Sequence, residues 1–214
     1  MTALAAPLSR PTSDSLGAWR GSALLVAGLA AITVARWAAT RAGLDALGVG
    51  AVFGLALLLL AAAGLGAATT RGMPSFNLRR LSRAVAVGAA VGLALAAIAV
   101  IGPALGGSTR VPGLGRPAVP FLPWALDTIL VASAEEAILR GVLFTRVARA
   151  GGIPIAIGVT TVAFALLHVP LYGWHVLPLD LAVGLGLGGL RVATRSIAAP
   201  AAAHAMADLA TWWV

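Results

Sequence analysis

The chain contains no cysteine and no lysine, and only 10% of its 214 residues are charged. The lack of cysteine excludes disulfide bonds, thiolate metal sites and cysteine-protease chemistry. Soluble domains carry roughly 25% charged residues, whereas this chain is 60% hydrophobic with a mean hydropathy of +0.97. The alternation of apolar and polar residues that a membrane barrel needs is also missing. The composition therefore predicts an all-α, polytopic membrane helical bundle.

Seven apolar segments are long enough, or nearly so, to cross a bilayer as helices. They are residues 21–38, 47–68, 84–105, 121–147, 152–169, 176–190 and 197–214. We therefore expect about seven or eight transmembrane helices in one integral membrane domain, 21–214, behind a polar cytoplasmic tail, 1–20. The Gly- and Pro-rich connection 106–120 is predicted to be an exposed loop.

All fifteen basic residues are arginines, and the net charge is +8. Most of them lie between apolar runs, which is the pattern that sets membrane topology rather than one that binds nucleic acid. Eleven fall on one side of the predicted bundle and four, including Arg36 and Arg41, on the other. This asymmetry predicts a multi-pass protein of the cell (inner) membrane with its N-terminus in the cytoplasm.

Ionisable residues other than arginine are concentrated in the second half of the chain. Five of the seven acidic residues and all three histidines follow residue 120: Asp127, Glu135, Glu136, His168, His175, Asp180, His204 and Asp208. Ionisable side chains are costly within a membrane and therefore indicate function. We expect residues 21–105 to be scaffold helices and residues 121–214 to enclose a catalytic cavity.

Glu135 and Glu136 are adjacent, and Arg140 follows four residues after Glu136. Residues four apart share a helix face, and glutamate before arginine is the favourable order. We therefore predict a Glu136–Arg140 ion pair. Glu135 points about 100° away and is expected to lack that partner, which leaves it free to act as a general base. A purely structural cluster remains the alternative.

Two later helices carry the other polar groups. Phe164 and His168 lie near the end of the fifth apolar segment, and His204 and Asp208 lie four apart in the seventh. Taken singly, His168 is more readily explained as a packing residue, whereas His204 with Asp208 is explained equally well by structure and by chemistry. On the predicted topology Glu135 and His204 fall in the cytoplasmic half of the membrane, whereas His168 lies further outward.

Two chemistries fit this set if the three helices face one cavity. Glu135, helped by His168, takes a proton from an attacking water, while His204 and Asp208 stabilise the intermediate or the leaving group. Alternatively, ligands drawn from His168, His204, Glu135 and Asp208 hold a divalent metal such as Zn²⁺, whose bound water attacks. The local His-Glu-x-x-His zinc signature is absent.

The three strings together resemble the CAAX-protease and bacteriocin-processing family of intramembrane proteases, also called the Abi family. They read Glu135-Glu136-Ala-Ile-Leu-Arg140, Phe164-Ala-Leu-Leu-His168 and His204-Ala-Met-Ala-Asp208. The resemblance covers residues 124–210. It implies a helical fold with an internal cavity and a glutamate-dependent endopeptidase activity.

By this resemblance, Glu135 and Glu136 belong to the catalytic motif, His168 helps to activate water, and His204 with residue 208 supports the oxyanion. Arg140 is the ion-pair residue and Phe164 the packing residue of the motif. Asp208 stands where the family commonly has asparagine, and an ionised aspartate cannot donate a hydrogen bond. The motif fits both a zinc-dependent enzyme and an enzyme that uses no metal.

The resemblance implies a membrane-associated peptide or protein substrate. For a chain of bacterial, arginine- and alanine-rich composition, the candidates are a C-terminal sorting segment, a CAAX-like tail or a bacteriocin-type precursor. Two other classes compete: a non-catalytic immunity or scaffold protein of the same fold, and a small proton-coupled transporter. The absence of internal repeats speaks against the transporter. The oligomeric state has no signature in the sequence.

Overall fold

The computed structural model describes residues 13–66, 77–101 and 119–213, and the regular secondary structure in these ranges is helical throughout. Eight α-helices lie within them: α1 (Ser13–Arg41), α2 (Ala46–Gly66), α3 (Leu78–Ile101), α4 (Phe121–Glu136), α5 (Phe144–Gly151), α6 (Ile153–Tyr172), α7 (Leu177–Thr194) and α8 (Ala198–Ala210). A π-helical segment, Ala137–Leu143, joins α4 to α5, and short 3₁₀ turns cover Trp174–Val176 and Thr211–Trp213. The all-α prediction is confirmed.

Within the described residues, each of the seven predicted apolar segments lies mainly on one helix, because α4, the π-helical segment and α5 follow one another without a break. Within the described residues, five helical stretches are long and apolar enough to cross a membrane: Leu16–Arg41, Ala46–Leu65, Leu78–Ala97, Ile153–Tyr172 and Trp174–Thr194. The segments 121–147 and 197–214 are not among these five, because their α-helices are too short: α4 has 16 residues before the π-helical segment and α8 has 13.

The N-terminal boundary differs from the prediction. Helix α1 begins at Ser13, so the end of the predicted tail, 1–20, is helical. The rest of that tail, residues 1–12, and nearly all of the predicted loop 106–120 lie outside the described residues.

The core surrounds the helix that runs from α4 to α5. Ala134, Ile138, Leu139 and Val147 on this helix are fully buried. Helix α4 packs against α2 and α8, and α5 packs against α1 and α6. The helix that carries the Glu-Glu motif is therefore the central helix of the bundle.

Helix α8 is held against α3 at very short range. A Cβ atom added to Gly88 would collide with the backbone of Ala199, and one added to Gly92 would lie 2.6 Å from the Ala203 carbonyl oxygen. Small residues allow membrane helices to approach this closely. Since His204 follows Ala203, this contact sets the depth at which its imidazole enters the bundle.

The π-helical segment follows directly on the two glutamates. Within it, the carbonyl oxygen of Arg140 accepts a hydrogen bond from Nε of Arg191, at 3.1 Å. Single π turns inside α-helices are rare and are frequently found at functional sites. Here the irregular turn ties the central helix to α7.

Candidate active site

Glu136 and Arg140 form the predicted ion pair at the centre of the bundle. Nη1 of Arg140 donates to Oε1 of Glu136 at 2.7 Å, and both side chains are 0% exposed. Nη2 of Arg140 donates to the Gly184 carbonyl at 3.2 Å, and the guanidinium lies 4.8 Å from the centroid of the Phe164 ring. The pair therefore joins the π-helical segment to α6 and α7.

Glu135 is buried, with 3% of its surface exposed. Its Oε1 lies 3.9 Å from Nη1 of Arg36, and its Oε2 lies 3.9 Å from Nε2 of His204. Both separations exceed hydrogen-bond length, and among the described residues the carboxylate accepts no hydrogen bond. Glu135 lies outside the Glu136–Arg140 pair, as expected, but α1 brings Arg36 to it from 99 positions away in the sequence.

His204 contacts both glutamates of the motif. Its Nδ1 lies 3.1 Å from Oε1 of Glu136 and, as that oxygen is an acceptor, donates a hydrogen bond to it. Its Nε2 faces Oδ2 of Asp208 at 3.3 Å. His204 is buried, whereas the Asp208 side chain is 44% exposed. Asp208 therefore lies at the open edge of the site.

His168 reaches the same place from the end of α6. Its Nδ1 lies 2.9 Å from the Phe164 carbonyl oxygen and must donate to it, which leaves Nε2 as the free nitrogen. Oδ2 of Asp180, on α7, lies 4.0 Å from the same Nδ1, and the Tyr172 ring stacks on the imidazole at 5.9 Å.

Phe164 separates and supports the two imidazoles. Its ring centroid lies 4.6 Å from that of His168 and 5.2 Å from that of His204, the latter in an edge-to-face arrangement. With 2% of its surface exposed, the ring also fills the apolar side of the site.

Glu135, His168 and His204 converge. Each offers one ligand atom, and these three atoms lie within 4.8 Å of one another. The expected outward displacement of His168 was therefore wrong: the residues come to one level because α6 extends past the predicted span end at 169 to Tyr172.

The converging atoms are also suited to a divalent metal ion. In both histidines Nδ1 donates to an oxygen, and this is how protein metal sites usually orient an imidazole whose Nε2 binds the ion. Two imidazoles and a carboxylate match the catalytic ligand set of zinc. Asp208, the fourth candidate ligand, is outside this group of three.

Two nearby residues were not predicted to belong to the site. Arg36 was interpreted as a topology-setting residue and Asp180 was left without a role. Both lie inside predicted membrane segments, 21–38 and 176–190. An ionisable residue within a span indicates function by default, and applying that rule to every such residue would have found both.

Comparison with known families agrees with the geometry. Residues 117–210 match the sequence model of the family described as type II CAAX prenyl endopeptidase Rce1-like. No curated protein and no solved structure matches the chain. The match begins before α4 and ends with α8, so it contains Glu135, His168 and His204, whereas Arg36 lies outside it.

The fold and the site define a helical membrane protein in whose centre a buried carboxylate and two imidazoles converge. The chain carries an Rce1-like domain of the CAAX-protease and bacteriocin-processing family at residues 117–210. The predicted resemblance is therefore confirmed. The family consists of proteases, and membership of this domain in the family supports protease activity.

Proposed function

We propose that the protein is an intramembrane endopeptidase that hydrolyses a peptide bond of a membrane-associated substrate. The observation that carries this proposal is the convergence of Glu135, His168 and His204 from three helices, with ligand atoms within 4.8 Å of one another. A buried carboxylate without a hydrogen bond, beside two imidazoles with one committed nitrogen each, has the composition of a general-base site.

Glu135 is the base in this mechanism. It removes a proton from water as the water oxygen bonds to the scissile carbonyl carbon, and the π electrons of the carbonyl move to its oxygen. Collapse of the intermediate breaks the C–N bond, and the proton held on Glu135 passes to the leaving amine. His168 orients the water through Nε2, and His204 approaches the second oxygen of Glu135.

Glu136 and Arg140 act by position. Glu136 accepts hydrogen bonds from both Arg140 and His204 on the same oxygen, Oε1. It thereby fixes the imidazole whose Nε2 faces Glu135. Removing either member would leave the other buried and unpaired, which is strongly destabilising.

Glu135, His168 and His204 would hold a catalytic metal ion if the enzyme uses one. Such an ion, zinc by its ligand set, would supply Lewis acidity and lower the pKa of a bound water. With a metal bound, Glu135 and the two imidazoles would serve as its ligands, so Glu135 would not act as a free base. Without a metal, Glu135 takes the proton and His168 orients the water.

The placement of the site within a membrane domain supports a membrane-associated substrate. A CAAX-like tail, a C-terminal sorting segment and a bacteriocin-type precursor each bring a cleavable segment to the bilayer. The excess of arginines on one side of the bundle supports a cytoplasmic N-terminus and a location in the inner membrane of a bacterium.

The test uses the full chain in proteoliposomes with one synthetic peptide of each class: a farnesylated peptide ending in a CAAX sequence, a sorting segment and a bacteriocin-type precursor. Mass spectrometry should find a single new C-terminus in at least one peptide, and Glu135→Ala should abolish the product. Absence of cleavage in all three, or equal cleavage by Glu135→Ala, would contradict the proposal and favour a non-catalytic member of the fold.

A further inference from the structure

Hydrolysis of a peptide bond requires a donor for the oxygen that becomes negative in the intermediate. This inference rests on the proposed function and concerns which residue supplies that donor. The donors around Glu135 are largely committed. Nδ1 of His168 and Nδ1 of His204 are bonded to Phe164 and Glu136, and Arg140 donates to Glu136 and Gly184.

The remaining groups at the edge of the site are poor donors. Nε2 of His204 faces Oδ2 of Asp208 at 3.3 Å, so a proton on that atom is directed at a carboxylate. Ionised Asp208 has no hydrogen to donate. The polar residues of the matched domain therefore leave the developing oxyanion without an evident partner.

Arg36 stands on the other side of Glu135. Its Nη1 lies 3.9 Å from Oε1 of Glu135, and its side chain is 20% exposed. The guanidinium packs on the Phe53 ring, 4.3 Å from the centroid, which holds it in place without using its N–H groups. In the described part of the chain, Arg36 donates no hydrogen bond.

Arg36 also lines a cavity. A cavity of about 400 Å³ opens between α1 and α2, lined by Arg36 together with Ile32, Val52 and Phe53 among others. Two further carboxylates, Asp45 and Asp127, lie in this region, yet among the described residues neither forms an ion pair with Arg36. The guanidinium therefore combines a positive charge, uncommitted donors and access to Glu135.

We propose that Arg36 is a catalytic residue that binds the carbonyl oxygen of the scissile bond and stabilises its negative charge. Water activated at Glu135 attacks the carbonyl carbon, and the electron pair released from the C=O bond resides on the oxygen that Arg36 binds. The first helix, which lies outside the matched domain, thus completes the site.

The test measures kcat and KM of Arg36→Gln on whichever peptide the wild-type protein cleaves. Loss of one oxyanion donor costs about 10²–10³ in kcat, and we expect that loss with KM changed less than about threefold. Arg36→Lys, which keeps the charge, should recover at least about tenfold of it. Arg41→Gln serves as the matched control, since Arg41 is exposed on the same helix and packs on Trp37.

Several results would overturn the assignment. A kcat for Arg36→Gln within about threefold of wild type removes the role, as does a loss that appears in KM alone. Asp208→Asn places an amide donor on the opposite side of Glu135. A higher kcat in that variant, with kcat unchanged in Arg36→Gln, would locate the oxyanion there instead.

The failure of this inference is separable from that of the proposed function. If Glu135→Ala is inactive while Arg36→Gln keeps its kcat, only the role of Arg36 fails. If Glu135→Ala retains activity, the proposed function fails with it. Melting temperatures of all variants, measured in the same detergent, show whether a lost activity reflects a lost fold.

Discussion

The first three helices and the C-terminal half of the chain differ in whether their charged side chains are exposed or buried. In the C-terminal half, Glu135, Glu136, Arg140 and His204 are at most 3% exposed. In the described side chains of α1–α3 and their connections, every charged residue is exposed except Arg36. The buried polar groups there, Ser22 and Thr33, bond to their own helix.

This difference indicates that the two regions have different tasks. A buried charge must be paired and hydrogen-bonded, so the C-terminal half carries a network in which Glu136 serves two partners. The described side chains of the N-terminal helices form no such network, and these helices act mainly through shape, as Gly88 and Gly92 do where α3 packs against α8. Arg36 is the residue of α1 that lies beside Glu135 in the C-terminal half. The following variants test how far the tasks of the two regions are separate.

The largest expected effect is on the chemistry of the C-terminal half. His204→Ala removes an imidazole beside Glu135, and a positioned acid–base group contributes about 10²–10⁴ in rate. We expect a loss in that range in the peptide cleavage assay. His175→Ala, an exposed histidine outside the cluster, should retain the wild-type rate. Comparable losses in the two variants would show that the cluster has no special role.

Arg140→Met tests the buried network through stability. Breaking a buried ion pair by removing one partner costs about 3–5 kcal/mol, and Glu136, at 0% exposure, would keep only the hydrogen bond from His204. Unfolding in mixed micelles should report a loss of that size in free energy. Arg149→Met, at an exposed position on α5, should change it little. Equal stabilities would mean that Glu136 does not depend on Arg140.

Gly92→Leu tests the contribution of α3. The added side chain meets the Ala203 carbonyl and Cβ of Met206, and overpacking of this kind costs about 1–3 kcal/mol. We expect reduced stability together with reduced cleavage, because α8 carries His204. Gly158→Leu is the control, since a Cβ there meets no neighbouring atom within 4 Å. Full activity in Gly92→Leu would show that α3 does not set the position of His204.

The smallest expected effect concerns Asp180. Its buried Oδ2 lacks a hydrogen bond among the described residues and lies 4.0 Å from Nδ1 of His168. Asp180→Asn should lower kcat by about tenfold or less, equivalent to about 1.4 kcal/mol, with KM unchanged. In a double-mutant cycle, the change should add nothing in a His168→Ala background. Additive losses would assign Asp180 a role independent of His168.

Rules that act within a single helix predicted the helical fold and part of the site. The Glu136–Arg140 pair follows from a four-residue spacing on one helix, and the described parts of the seven apolar runs are mainly helical. Arg36 and the depth of His168 depend instead on how distant helices pack. Spacing along one helix holds no information about a partner 99 positions away. The π-helical segment after Glu136 likewise has no sequence signature, and it determines which way Arg140 faces.

The central claim is that two adjacent glutamates have different tasks, with Glu135 performing chemistry and Glu136 holding the structure. The most direct test measures cleavage rate and unfolding free energy for Glu135→Gln and Glu136→Gln side by side. The account predicts that Glu135→Gln loses at least about 10² in rate at wild-type stability, while Glu136→Gln is clearly destabilised. Cleavage at the wild-type rate by Glu135→Gln would contradict it.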